Sequence, residues 1–313
     1  MRLNDNTYVS VVIPIMNEEG NIGKLVERLR LALADYKNHE IIFVDDGSTD
    51  ETLSVIKKYR EDDKRIKYLS FSRNFGHQNA LKAGLDASEG DCVISMDGDL
   101  QHPPELIDEM ISKWMQGYDI VYTIRQDRNQ ASFLKRKTSR FFYSFLNKLS
   151  DIQIDQGVAD FRLLDRNIVD LVSRFQENPL FFRGIVKWMG FRQYALNYSP
   201  EQRSWGVTKY SFRKMMKFAV LGITSFSVKP LQISTVIGTL IAIMSFGYGI
   251  YALLMKILTD ATVPGWTSML IIVSFIGGIQ LIMLGILGVY LGKLFIESKH
   301  RPSYLVKEQG LED

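Results

Sequence analysis

The sequence is poor in cysteine, in net charge and, at its start, in hydrophobic residues. Cys92 is the only cysteine among 313 residues, so no disulfide bond can form within the chain. It lies in an apolar stretch, which favours a buried structural thiol in a cytosolic domain. Lys and Arg exceed Asp and Glu by only 3 charges, too few to predict a nucleic-acid partner. Residues 1–8 lack the apolar core of a signal peptide, so we expect that the first domain is not exported.

Two long segments near the end contain no Asp, Glu, Lys or Arg. Residues 230–255 and 268–292 each exceed the ~20 residues that cross a bilayer as a helix. They predict two transmembrane helices within a region 229–294, followed by a tail over 295–313. We also expect a homo-oligomer that assembles through these helices.

Basic residues flank the two apolar segments on their outer sides. These residues are Lys217, Lys229, Lys293, Lys299 and Arg301. The connecting loop has only Lys256 against Asp260. The positive-inside rule therefore predicts an integral membrane protein whose N-terminal domain and C-terminus are cytoplasmic.

Short β-branched runs alternate with helical patterns in the first part of the chain. The predicted strands are Val9–Ile13, Glu40–Val44, Ile66–Phe71, Cys92–Met96 and Ile120–Ile124. The predicted helices are Asn21–Tyr36, Thr52–Tyr59, Asn79–Ala87 and one that Pro103 and Pro104 open and that ends near Gln116. This alternation predicts an α/β domain over 1–209 with a parallel, doubly wound sheet.

Three polar clusters directly follow predicted strands: Pro14–Glu19, Asp45–Ser48 and Asp97–Gln101. Ligands of such sheets bind beyond the carboxyl ends of the strands, so we expect the clusters to meet at one rim. Asp97 and Asp99 flank a glycine and offer hard oxygen ligands for Mg²⁺ or Mn²⁺. Gln101 adds a third ligand, and His102 is a weaker candidate. A plain tight turn is the alternative explanation of Asp-Gly-Asp.

The second cluster has two explanations that are compatible. Ser48 and Glu51 match a capping box at the start of the next helix. The adjacent acids Asp45 and Asp46 do not help a cap, and carboxylates at a strand end suit recognition of a base or ribose hydroxyl.

Two further segments, 131–149 and 210–228, combine basic and aromatic residues at helical spacing. Each fits either a helix on an anionic membrane surface or a helix packed on the sheet. Proximity to the apolar segments favours an interfacial helix for 210–228.

The motifs together resemble those of a known family. Pro14-Ile15-Met16-Asn17-Glu18, Asp45-Asp46-Gly47-Ser48 and Asp97-Gly98-Asp99 look like the signatures of family-two glycosyltransferases, which have the Rossmann-like GT-A fold. Segments 155–163 and 203–211, followed by two apolar segments, resemble the polyprenyl-phosphate glycosyltransferases, relatives of dolichol-phosphate mannose synthase and the bactoprenol glucosyltransferases. The family commonly has tyrosine where this chain has Met16. The Gln-x-x-Arg-Trp motif of processive relatives does not occur, which favours transfer of a single sugar.

The resemblance implies roles for particular residues. Nucleotide binding would fall to Pro14, Asn17, Glu18, Asp46, Ser48 and Asp97. Metal binding would fall to Asp97, Asp99 and Gln101, and catalysis to Asp99 and Asp160. Because guanidinium and ammonium groups suit phosphate, we expect Arg125, Arg140, Arg203 and Lys209 to bind the lipid phosphate.

The implied reaction is metal-dependent transfer of a sugar from a nucleotide-sugar donor to undecaprenyl or another polyprenyl phosphate, with inversion. The resemblance also implies that the catalytic domain lies on the cytoplasmic side of a bacterial inner or plasma membrane. UDP-glucose and UDP-N-acetylglucosamine are the favoured donors, and a modified UDP-aminosugar or GDP-mannose, as in dolichol-phosphate-mannose synthesis, stays open. Two other hypotheses are a nucleotidyltransferase and a non-catalytic membrane scaffold with a transferase-like domain. Neither explains acidic clusters and apolar segments together.

Overall fold

The computed structural model describes residues 7–126, 157–175, 177, 180–199, 222–259 and 265–312. These residues form two compact units. The first unit contains the described residues up to 199 together with 302–312, and the second contains 222–259 and 265–301. The predicted basic helix 131–149, most of the predicted interfacial helix 210–228, and Arg140, Arg203 and Lys209 lie outside the described residues.

All five predicted strands form in the first unit, and so do the helices predicted between them. The strands are β1 Tyr8–Ile15, β2 Asn38–Asp45, β3 Ile66–Phe71, β4 Cys92–Ser95, β5 Ile120–Arg125, β6 Val158–Asp165, β7 Gln193–Tyr198 and β8 Val306–Gly310. The helices are α1 Glu19–Ala32, α2 Thr52–Asp62, α3 His77–Ala87, α4 Ile107–Met115, α5 Arg166–Ser173 and α6 Phe182–Trp188. A 3₁₀ turn, Pro104–Leu106, leads into α4.

The sheet is mixed, whereas the sequence pattern predicted a parallel sheet. Its order is β7-β5-β6-β4-β1-β2-β3-β8. Strands β4, β1, β2 and β3 are mutually parallel, whereas β6 lies antiparallel between β4 and β5, and β8 lies antiparallel on the edge of β3. The sequence pattern missed β6, β7 and β8. Part of the predicted tail, 306–310, is therefore a strand of the catalytic sheet.

Helices cover both faces of the sheet, which is the doubly wound arrangement. Ile22 and Leu25 of α1 share a core with Val11, Ile13 and other side chains on one face. On the other face α3 comes so close that a Cβ at Gly84 would lie 2.2 Å from Val12 Cγ1 and 3.0 Å from Val44 Cγ2. Cys92 is fully buried and free, as predicted. Because β1, β2 and β4 run in the same direction, their carboxyl ends meet at one rim.

The second unit contains two long apolar helices, α7 Lys229–Thr259 and α8 Trp266–Glu297. Lys229–Met255 and Ile271–Glu297 are long and apolar enough to cross a membrane, with mean hydropathies of 1.8 and 2.3. The apolar segments 230–255 and 268–292 are therefore helical, and each helix extends beyond the predicted bounds. Their crossing of a membrane stays a prediction. Within this unit Tyr290 Oη donates to the Ser227 carbonyl at 2.7 Å, and Lys293 Nζ donates to Ser225 Oγ at 3.0 Å.

Candidate active site

The first two rim segments interlock through Asn17 and Ser48. Asn17 has a left-handed backbone with φ of 57°. Its backbone N–H donates to Ser48 Oγ at 2.9 Å, and its Oδ1 accepts from the Thr49 N–H at 2.8 Å. Glu18 joins in because its N–H donates to Thr52 Oγ1 at 2.9 Å. Pro14, near the end of β1, lies opposite Val44 of β2. The two loops that we predicted to bind a nucleotide therefore form one surface.

The predicted capping box at Ser48 and Glu51 is wrong. Helix α2 begins at Thr52, whose N–H donates to Asp50 Oδ1 at 3.1 Å. Ser48 Oγ instead accepts the Asn17 N–H, while the Ser48 N–H donates to Asp45 Oδ1 at 2.9 Å. Asp45 also accepts from Ser70 Oγ at 2.9 Å and is buried. Asp45 thus holds the turn in shape.

Asp46 organises a fourth rim segment, residues 72–77, which runs from the end of β3 to the first residue of α3 and was not predicted from the sequence. Its Oδ1 accepts the Phe75 N–H at 2.6 Å, and its Oδ2 accepts the Gly76 N–H at 3.0 Å. Burial raises the pKa of Asp46 above its ordinary value, although both N–H groups oppose that change. The segment packs so tightly on the β2 turn that a Cβ at Gly47 would lie 2.6 Å from the Arg73 carbonyl carbon.

The carboxylate of Asp97 lies between two imidazole rings. His77 Nε2 is 2.7 Å from Oδ1, and His102 Nε2 is 3.7 Å from Oδ2. The Asp97 N–H donates to His102 Nδ1 at 3.1 Å, which assigns the ring proton of neutral His102 to Nε2. Desolvation would raise the pKa of Asp97, but His102 and His77 outweigh it and hold that pKa below its ordinary value. Desolvation likewise lowers the pKa of His77, yet Asp97 brings it to about 9.

Asp99 follows on a strained turn. Leu100 is buried with φ of 62°, a conformation that bulky residues rarely adopt and that occurs mostly at functional sites. Asp99 Oδ1 accepts the Gln101 N–H at 3.1 Å. Arg125, at the end of β5, donates from Nη1 to Gln101 Oε1 at 2.9 Å. A predicted metal ligand and a predicted lipid-phosphate residue are therefore in contact.

Asp160 is the centre of a buried charge cluster. Arg183 of α6 binds it in a bidentate manner, with Nε 2.9 Å from Oδ1 and Nη2 3.0 Å from Oδ2. Arg162 Nη2 donates to Oδ1 at 3.1 Å. The Arg162 side chain is 2% exposed and its guanidinium lies 5.1 Å from the Phe182 ring centre. Desolvation would raise the pKa of Asp160, but Arg183 and Arg162 hold it far below its ordinary value.

The structure brings together the predicted residues that it describes, and it adds His77, Arg162 and Arg183. The sequence offered one usable signal among these, since Arg162 belongs to the Asp160-Phe161-Arg162 motif already singled out. His77 and Arg183 stand in strings without a pattern, because only the tertiary fold places them against Asp97 and Asp160. The roles predicted for all these residues stay predictions.

Comparison with known proteins gives the family. Residues 10–172 match the Glycosyl transferase family 2 profile. The chain is 42% identical over 306 residues to an uncharacterized glycosyltransferase, YkcC, of Bacillus subtilis, covering 97% of this chain and 95% of that protein. It is 41% identical over 303 residues to the bactoprenol glucosyl transferase of Shigella phage SfV, covering 96% and 98%. A prophage bactoprenol glucosyl transferase homolog of Escherichia coli K12 is also 41% identical, over 301 residues and 96% and 98% of the chains. The chain belongs to glycosyltransferase family 2 and is a glycosyltransferase with the GT-A fold.

Proposed function

We propose that this enzyme transfers one sugar from a nucleotide-sugar donor to a polyprenyl phosphate. The observation that carries the proposal is the presence, in one chain, of an acidic rim and two helices of membrane-spanning length and composition. A water-soluble donor fits the rim, and a lipid acceptor gives the apolar helices a purpose. Similarity to bactoprenol glucosyl transferases over nearly the whole chain supports undecaprenyl phosphate as acceptor and UDP-glucose as the first donor to test.

A divalent ion, Mg²⁺ or Mn²⁺, fits the carboxylates of Asp97 and Asp99. Within the described part of the chain, no group of three or more His, Cys, Asp or Glu side chains could hold a metal by itself. Mg²⁺ is typically bound by one or two carboxylates and completes its shell with water and substrate phosphates. The two aspartates therefore suit an ion that arrives with the donor diphosphate, with Gln101 as a third candidate ligand. When bound, the ion would neutralise charge on the departing diphosphate.

The chemistry is displacement at the anomeric carbon. An oxygen of the acceptor phosphate forms a new bond to the anomeric carbon while the bond from this carbon to the diphosphate oxygen breaks. The configuration at the carbon therefore inverts, and a nucleoside diphosphate leaves. A phosphate monoester has a second pKa of about 6, so the nucleophile is already anionic near neutral pH. Asp160, which Arg183 and Arg162 keep ionised, then serves to orient substrate groups and not to accept a proton.

The acceptor phosphate would bind beside Arg125, which already contacts Gln101 at the rim. Arg140, Arg203 and Lys209 remain candidates for the same task. A guanidinium at this place would put the acceptor phosphate close to the donor diphosphate and offset the repulsion between them.

The membrane topology that we propose has the catalytic domain and the C-terminus in the cytoplasm. The chain leaves the catalytic sheet before the two apolar helices and returns to it afterwards, since β8 pairs with β3. This return to the same sheet supports two membrane crossings, with both ends on the same side. The basic residues on the outer sides of the two apolar segments support the cytoplasmic side.

The test is transfer of label from a panel of radiolabelled nucleotide sugars into an organic-extractable product. Purified full-length protein is incubated with undecaprenyl phosphate and Mg²⁺ or Mn²⁺. We expect label from one donor, loss of transfer with EDTA, and a fall of about 100-fold or more for Asp99→Asn, the size seen when one stabilising group at a reacting centre is removed.

Asp62→Asn is the matched control, because Asp62 is exposed at the end of α2. It should transfer at the wild-type rate. Absence of transfer from every donor by folded protein would contradict the proposal, as would full activity of Asp99→Asn.

A further inference from the structure

The segment that follows the second apolar helix reaches the rim of the catalytic sheet. Strand β8 pairs antiparallel with β3, from Tyr68 opposite Gly310 to Phe71 opposite Val306. Because β3 ends at the rim, the beginning of β8 and the residues just before it also lie there. The Ser72 N–H donates to the Leu305 carbonyl at 3.0 Å, so the first residue of segment 72–77 is bonded directly to the C-terminal segment.

Tyr304 packs against both elements that flank segment 72–77. Its ring stacks on Phe71 at the end of β3, with ring centres 5.1 Å apart and an angle of 13°. Its hydroxyl donates to Asp86 Oδ2 of α3 at 3.1 Å. Phe71 in turn meets Phe75, edge to face, at 5.7 Å. The Tyr304 side chain thus contacts the strand before segment 72–77 and the helix after it. Through Phe71 it also supports Phe75 within the segment.

Segment 72–77 contacts each of the three polar clusters at the rim. Asn74 Nδ2 lies 2.7 Å from Met16 Sδ in the loop after β1. The Phe75 N–H donates to Asp46 after β2, and His77 Nε2 donates to the carboxylate of Asp97 after β4. A shift of this segment would therefore disturb the surface proposed for the nucleotide and the carboxylate proposed for the metal at the same time.

We propose that residues 304–306 are a positioning element of the donor site. They hold segment 72–77 against the acidic rim and do not touch substrate. The inference rests on the proposed function in that the rim binds the nucleoside diphosphate part of the donor. Residues 304–306 would then have a task at the donor site, in addition to the role of β8 in completing the sheet.

The first test compares Tyr304→Ala with Tyr304→Phe in the full-length protein. UDP and GDP with MgCl₂ serve as binding probes in calorimetry, and KM is measured for the donor and for undecaprenyl phosphate. Tyr304→Ala should weaken diphosphate binding and raise the donor KM by about threefold to tenfold, the range expected for an aromatic pair, with the acceptor KM unchanged. Tyr304→Phe keeps the stack on Phe71 and should restore most of the affinity.

Glu308→Gln is the matched control in the same strand. It breaks the 2.7 Å ion pair with Lys57 but lies away from segment 72–77, so the donor KM should stay at the wild-type value. Equal rises of the donor and acceptor KM in Tyr304→Ala, or no rise of the donor KM, would overturn the proposal.

The second test needs no variant. Binding and local order are reciprocally linked, so UDP with MgCl₂ should slow amide hydrogen exchange in 72–77 and also at residues 304–306 of the wild-type protein. Strand β7, at the opposite edge of the sheet, should not respond. UDP binding without slower exchange at 304–306 would overturn the positioning role alone. If the wild type binds no diphosphate and transfers no sugar, the proposed function fails and this inference fails with it.

Discussion

Beside β2, the rim carboxylates accept hydrogen bonds from neutral groups of neighbouring loops, whereas beside β4 and β6 they pair with cationic side chains. Asp45 and Asp46 belong to the first kind, with backbone N–H groups of Ser48, Phe75 and Gly76 as donors. Asp97 and Asp160 belong to the second kind. Their cationic partners are His77, Arg162 and Arg183.

This difference in partners gives aspartate side chains two different tasks at the rim. Backbone donors fix the shape of the loops, and burial then leaves the pKa of Asp46 raised. Cationic partners instead keep a carboxylate ionised in a region of low dielectric constant, so the pKa of Asp160 is lowered. The β2 side therefore provides the shape of the site, and the β4 and β6 side provides its charge.

The largest expected effect comes from Asp160→Asn. Removal of this charge leaves the buried guanidinium of Arg162 without its counter-ion, which should cost about 3–5 kcal/mol of folding free energy. A large fall in the apparent melting temperature of the purified protein would show it. Arg183→Gln is the comparison, because Arg183 is 28% exposed and its loss leaves Asp160 paired with Arg162. Equal falls for both variants would contradict this account.

Gly47→Ala should come next. Gly47 has φ of 70°, and a Cβ there would meet the backbone of Arg73 and Asn74, so strain and overlap together should cost about 2–4 kcal/mol. Gly190→Ala is the matched control, since Gly190 has nearly the same φ of 71° but only the Trp188 carbonyl oxygen, at 3.9 Å, near a Cβ, and strain alone should cost about 1 kcal/mol of folding free energy. Melting temperatures of the two variants give the answer. Equal losses for Gly47→Ala and Gly190→Ala would argue against the close packing of segment 72–77 on the β2 turn.

Asp46→Asn should lower the free energy of unfolding by a smaller amount, about 1–2 kcal/mol, and its effect should be local. The amide keeps one acceptor oxygen but loses the charge that strengthens the hydrogen bonds from Phe75 and Gly76. Faster amide exchange at Phe75 and Gly76, with β7 unchanged, is the expected result. Faster exchange throughout the sheet would show that Asp46 supports the fold as a whole and not the loop.

The smallest effect is on the pH dependence of stability, and its sign differs between the two sides. The folded pKa of Asp160 lies below its ordinary value of 3.8, so its stabilisation is present above pH 3.8 and is lost as the pH falls through the folded pKa. The folded pKa of Asp46 lies above 3.8, so its contribution is most favourable at low pH and is lost as the pH rises through the folded pKa.

Melting temperatures between pH 3 and pH 7 test this contrast. Asp160→Asn should reduce the loss of stability that acidification causes below about pH 4. Asp46→Asn should abolish the small rise in stability that the wild-type protein shows as the pH falls from 7 towards 4. The same pH profile for both variants would remove the distinction between the two kinds of carboxylate.

The sequence predicted the part of the fold whose contacts are local. The five early strands and the helices between them have strong apolar periodicity, and the acidic clusters follow directly after strands, so their meeting at one rim could be foreseen. Strand β6 was missed because Asp160 and Arg162 interrupt its apolar pattern, although both are buried in a charge cluster. Strand β8, Val-Lys-Glu-Gln-Gly, has almost no apolar residues and forms through pairing with a distant strand.

The same reason explains what was missed in the site. Ser48 and Glu51 have the spacing of a capping box, but the tertiary contact between Ser48 and Asn17 takes precedence over that local pattern. His77 reaches Asp97, and Arg183 reaches Asp160, only after the sheet has assembled. No spacing in the sequence records contacts of this kind.

The pairing of β8 with β3 also bears on how the protein is made. Phe71 leaves the ribosome before the two apolar helices are synthesised, and its partner Val306 leaves it after them. Until then β3 is an uncovered edge that could pair with another chain, and segment 72–77 lacks its outer support. If residues 304–306 position segment 72–77 as we propose, the rim gains this support only after both apolar helices have been synthesised. We therefore expect a chain that terminates before β8 to be inactive, although all its rim residues are present.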